Sequence, residues 1–86
     1  MRASKTQLAV LRRMSEGAEI TLMRGRDPHA FLRNPRGTEA SDAVRLDTVH
    51  RLRKLGLIED VSPEAMRWRS SDYRITRTGR KLMTET

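Results

Sequence analysis

Asp47-Thr-Val-His-Arg-Leu-Arg-Lys-Leu-Gly-Leu-Ile58 is the stretch from which this chain is best read. Leu46, Val49, Leu52 and Leu55 recur every three residues, which lines them along one side of a helix. Asp47 is the expected N-cap, because its carboxylate can accept from the first free amides. Gly56 suits the left-handed position that closes a helix. Leu57 and Ile58 then read as the first buried residues of a strand. The other side of the helix carries Thr48, His50, Arg51 and Lys54. An apolar side and a donor-rich side, in a basic chain, are what a DNA-reading helix requires.

The chain has 86 residues, enough for one domain with one modest core. Hydrophobic residues make up 36% and aromatic residues 3%, so the core must rest on Leu, Ile, Val and Met. Phe31, Trp68 and Tyr73 are the only rings of that kind available to it. Lys and Arg total 18 against 11 acidic residues, a net charge of +7, and fifteen of the 18 are arginine. Arginine enrichment suits bidentate contacts to phosphates or bases; GC-rich codon usage would produce it equally well. This balance makes nucleic acid the default partner. No apolar run approaches the ~20 residues that span a bilayer, and Met-Arg-Ala-Ser-Lys-Thr lacks the apolar core of a signal peptide. With no cysteine there is no disulfide framework and no thiolate metal site. The expected location is the cytoplasm, with no membrane association.

Working outward toward the N-terminus, Ser4 to Glu16 reads as a helix. Leu8, Leu11 and Met14, with Val10 beside them, form its stripe, Ser4 caps it and Gly17 stops it. Glu19 to Met23 alternates with period two and predicts a short strand. Asp27-Pro28 can start a helical turn over His29 to Arg33, ended at Asn34-Pro35; alternatively, Ala30 to Arg33 is the second arm of a hairpin with Glu19–Met23. The hairpin is the preferred reading. Ser41 and Asp42 lead into the central helix in one of two ways. Ala43 continues the three-residue rhythm, which permits one helix over 42–55. The rival is a short helix, a tight turn near Arg45, and a second helix, as a helix-turn-helix needs.

Toward the C-terminus, Leu57 to Val61 reads as a strand and Ser62-Pro63-Glu64-Ala65 as a turn. Tyr73 and Ile75 alternate with Asp72, Arg74 and Thr76 in the pattern of a half-buried return strand. The intervening loop is arginine-rich around Trp68, a ring expected to fold back on the core. Thr76 can cap a last helix over 77–83, whose Leu82 and Met83 would close the core.

The tail "LRKLGLIE…YRITRTGRKL" resembles the winged helix-turn-helix superfamily, over residues 46 to 82. There, "L..LGLI" ends the recognition helix and opens the wing, and "YRIT..GR" forms the second wing strand and the helix after it. The layout also resembles small proteins typified by the bacterial topoisomerase I inhibitor toxin, departing from them in its long wing and its 34–40 loop. The resemblance implies a small α+β winged helix-turn-helix domain over residues 1–86. It implies a recognition helix at about 46–55 in the major groove and an arginine-bearing wing at about 57–76 on the backbone or minor groove. Carried to this chain, the nucleic-acid contacts would be Arg45, Thr48, His50, Arg51 and Lys54 on the helix side, and Arg67 and Arg69 on the wing. Arg51 is the best candidate for guanine, since its fork matches O6 and N7. Thr48 would meet a thymine methyl or a phosphate, and Arg45 and Ser41 phosphates at the edge.

No catalytic constellation emerges. His29 and His50 sit in no His-Glu-x-x-His pattern, and the chain has neither a G-x-S-x-G nor a phosphate-cradling glycine loop. The expectation is a DNA-binding transcriptional regulator, not an enzyme, with no cofactor or metal and with double-stranded DNA as partner. A protein this small reads few base pairs alone, so a homodimer on two half-sites is expected. The alternative is a winged-helix inhibitor or adaptor that turns the same basic face to an acidic protein. Asp42 and Asp47, flanking the reading surface, favour that alternative.

Overall fold

The computed structural model describes residues 4–33, 42–66 and 69–85. Three helices and a five-stranded antiparallel sheet make an α+β structure: α1 (Lys5–Ser15), β1 (Glu19–Met23), β2 (His29–Arg33), β3 (Asp42–Val44), α2 (Leu46–Lys54), β4 (Ile58–Asp60), a 3-10 turn (Glu64–Met66), β5 (Ser70–Ile75) and α3 (Arg77–Glu85). The sheet order is β3-β2-β1-β5-β4. The last strand therefore sits between the first and the fourth, with Ile20 opposite Tyr73 and Ile58 opposite Ile75.

Strand alternation divides the sheet into two unlike faces. Ile20, Leu22, Ala30, Leu32, Val44, Ile58, Tyr73 and Ile75 point to one side and are buried. They form one core with Val10, Leu11 and Met14 of α1 and with Val49 and Leu52 of α2. Leu46, Leu55, Leu82 and Met83 pack against its margin. The helices thus cover one face only.

The other face carries Glu19, Thr21, His29, Phe31, Arg33, Glu59, Asp72 and Arg74. Arg33 reaches Glu19 and Asp72 at 3.6 and 3.5 Å, and Arg74 reaches Glu19 at 3.8 Å. Thr21 donates to Asp72 at 2.9 Å. Phe31, expected in the core, lies half-buried on this face, its ring stacked on His29 at 6.1 Å. The pleat decides this, because Ala30 and Leu32 already occupy the core side of the same strand.

The first and last helices form as their end signals predict. Ser4 and Gln7 make a reciprocal capping box on α1. Thr76 accepts from the Gly79 amide at 3.1 Å and caps α3. Glu19–Met23 and His29–Arg33 form the hairpin, not the helical alternative.

Two expectations fail around the central helix. Residues 42–44 are neither the front of a helix over 42–55 nor the first helix of a helix-turn-helix. They are a strand, with Ala30 opposite Val44 and Leu32 opposite Asp42. Ala43 does keep the helical rhythm, but Val44 is buried only by the alternate, strand-like spacing, and pairing along β2 satisfies this backbone. Asp47 is not the N-cap. Arg45 holds that position, with no side-chain cap, and Asp47 lies within the first turn. Ser41 and Trp68 lie outside the described residues.

Candidate nucleic-acid interface

The antiparallel register gathers several cations at one end of the sheet. Val44 pairs with Ala30, so Arg45 follows beside the start of β2. Met23 pairs with both His29 and Ser70, so Arg24 and the β1–β2 turn lie at the same end. The Arg24 amide donates to the Arg69 carbonyl at 2.9 Å, which joins that turn to the start of β5. Arg24, Arg26, Arg45 and Arg69 are all exposed there. Arg24 and Arg26 were not expected from the sequence as contacts. Only the strand register makes them neighbours of Arg69.

α2 begins at this end. Val49 and Leu52 point inward and are fully buried, while Asp47, His50, Arg51, Arg53 and Lys54 are exposed. Arg45, Arg51, Arg53 and Lys54 enter no ion pair or side-chain hydrogen bond among the described residues. The arginines of the open sheet face are bound to carboxylates, and Arg13 of α1 pairs with Asp42. The open face is therefore largely balanced within itself. Glu19, Glu59 and Asp72 offset Arg33 and Arg74 on the open face. Asp47 alone stands among the four unpaired cations of the α2 region. Surface ion pairs of this kind contribute at most about 1 kcal/mol each; their larger effect here is to decide which face stays positive.

A shallow cleft of about 310 Å³ separates the N-terminal ends of α1 and α2, lined by Ser4, Thr6, Gln7, Arg45, Asp47, Thr48 and Arg51. Thr48, expected to reach base edges, is only 8% exposed and lines this cleft. It lies on the helix side that packs inward, so it has little surface to offer a groove. The α1 residues of the cleft carry no sequence signal beyond their capping box. Arg45, His50, Arg51, Lys54 and Arg69 are exposed, and Arg67 lies outside the described residues. Asp42, thought to flank the reading surface, is instead taken up by Arg13.

Among the described residues, no group of three or more His, Cys, Asp or Glu is placed to hold a metal ion. No helix there is long and apolar enough to cross a membrane. Comparison with protein-family models, curated proteins and solved structures finds no match to this chain.

Proposed function

We propose that this protein binds duplex DNA as a small regulator, with α2 in the major groove and the arginine-bearing end of the sheet on the phosphate backbone. The observation that carries the reading is the set of cations on and just before α2. Arg45, Arg51, Arg53 and Lys54 stay unpaired among the described residues, while Arg33 and Arg74 of the open sheet face are held by Glu19 and Asp72. Unpaired cations on one helix and at the residue just before it favour a polyanion, which releases counterions as it binds.

The neighbouring strands β1, β5 and β4, with α2 leading into β4 and α3 after β5, support reading the tail as a winged helix. In this reading the fold is a variant in which strand β3 replaces the helix preceding the recognition helix. Arg51 is the candidate reader of guanine, with His50 and Lys54 beside it, and Arg69 with the β1–β2 turn contacts phosphates. A second copy reading the other half of a palindrome would supply the remaining specificity.

The test is selection from a pool of random duplexes at several salt concentrations, with sequencing of the bound fraction. An enriched motif is the expected outcome, and Arg51→Ala should relax one base pair of it by about 1–3 kcal/mol. Arg69→Ala should weaken all sequences alike and reduce the salt slope by about one. Discrimination left intact in Arg51→Ala would remove the base-reading role. Salt-sensitive binding without enrichment would replace the regulator by an architectural binder.

One observation favours a second reading, as an inhibitor or adaptor on an acidic protein. Asp47 lies in the middle of the exposed face of α2, between His50, Arg51 and Lys54 in helical projection. A carboxylate there suits a partner of mixed charge better than a row of phosphates. No duplex binding at moderate salt would select this reading.

A further inference from the structure

We propose that the cleft between the N-terminal ends of α1 and α2 holds a single phosphate group, supplied on the DNA-binding reading by the duplex backbone. The first reason is the unsatisfied start of α2. Arg45 occupies the N-cap position without a side-chain cap, so the amides of Leu46, Asp47 and Thr48 have no intrahelical acceptor. α1 and α3 have Ser4 and Thr76 in that role.

The second reason is Thr48 itself. It is 8% exposed, lines the cleft, and its hydroxyl makes no hydrogen bond among the described residues. No fully sealed side-chain oxygen or nitrogen lacks a partner among those residues, so the free Thr48 hydroxyl must reach the cleft. The buried hydroxyl, the Asp47 and Thr48 residues that carry two of the free amides, and Arg45 and Arg51 all line one space, with the Leu46 amide in the same helical turn. That donor set, at the positive end of a helix, suits a tetrahedral oxyanion. Thr6 adds a hydroxyl on the opposite wall, while Ser4 and Gln7 are committed to each other.

Asp47 is the opposing feature, since its carboxylate also borders the cleft. It is exposed and unpaired, and it lowers the affinity without filling the site. Asp47→Asn should therefore tighten phosphate binding by roughly threefold, an effect that salt diminishes.

The experiment is amide NMR of the full chain, titrated first with inorganic phosphate and then, separately, with a duplex oligonucleotide. Phosphate should shift the Leu46, Asp47 and Thr48 amides saturably. Thr48→Val keeps the side-chain shape and should weaken that binding about tenfold, the loss of one hydrogen bond to a charged group. Arg45→Asp places a carboxylate where it can accept from the same amides. It should raise the melting temperature and abolish the phosphate shifts, so that lost binding cannot be mistaken for unfolding. Saturable shifts, weakened in both variants, establish the site. Absent shifts at these three amides, or shifts unchanged in both variants, overturn it.

The duplex arm separates this inference from the reading on which it rests. Duplex binding that weakens about tenfold in Thr48→Val assigns the phosphate to the backbone. Phosphate shifts without duplex binding keep the cleft, assign it to a free phosphoryl ligand, and end the DNA reading. Duplex binding without shifts at these amides ends the cleft and keeps the DNA reading.

Discussion

Two glycines, one closing α2 and one inside α3, have opposite reasons for being glycine. Gly56 has φ of +74° and nothing within 4 Å of an added Cβ. The constraint there is conformational alone, so Gly56→Ala should cost about 1 kcal/mol, the penalty of a side chain in the left-handed region. Gly79 is buried in α3, where an added Cβ would stand 2.5 Å from the Leu57 carbonyl oxygen and 2.7 Å from Ile75 Cγ1. The carbonyl also accepts from the Thr76 amide at 3.0 Å and has little room to retreat. Gly79→Ala gains about 1 kcal/mol of helix propensity but overpacks a contact against backbone. A net loss of about 2 kcal/mol is expected. Urea denaturation of the two variants checks both, and a neutral Gly79→Ala would mean that α3 does not sit this close to the start of β4.

Among the elements, β3 and α2 set the character of the molecule. α2 is only nine residues long, too short to persist alone. It is held by Val49 and Leu52, both fully buried. Leu52→Ala should cost about 3 kcal/mol in a denaturant melt. β3 is a three-residue edge strand whose Ala43 stands opposite Phe31 on the open face. Ala43→Val would put a β-branched residue beside an aromatic ring, which should raise stability by about 0.5 kcal/mol. In a helix the same change would lower it by a similar amount. The sign of this effect, read from the denaturant midpoint, therefore tests whether residues 42–44 are a strand.

For the whole molecule, the net charge of +7 matters less than its placement. The open face pairs Arg33 and Arg74 with its own carboxylates, while Arg45, Arg51, Arg53 and Lys54 in and beside α2 have no such partner among the described residues. If about six phosphates are neutralised there, log K should fall by about five for each log unit of salt. A slope near zero, measured by fluorescence anisotropy on a duplex, would show that the positive end is not a phosphate-binding surface. Because Arg33 and Arg74 are already paired, Arg74→Ala should leave the slope unchanged while Arg45→Ala lowers it. Equal slopes for wild type and Arg45→Ala would place the phosphate contact elsewhere.

Local patterns determined much of this protein. The three-residue rhythm of Leu46, Val49, Leu52 and Leu55 specifies α2, because a helix buries whatever recurs on one side. Alternation specifies β1 and β5, and Ser4 and Thr76 announce helix starts through hydroxyls that meet nearby amides. Tertiary structure decided what local pattern leaves degenerate. Ala43 and Val44 fit a helix rhythm and a strand alternation alike, and pairing with β2 selects the strand. Thr48 looked like part of the donor-rich side until the packing of α2 beside α1 placed it in a cleft. Arg24, Arg45 and Arg69 are far apart along the chain, and they share one end of the sheet only through the strand order β3-β2-β1-β5-β4. Periodicity records which side of an element is buried; which elements become neighbours is settled by pairing and packing among residues distant in sequence.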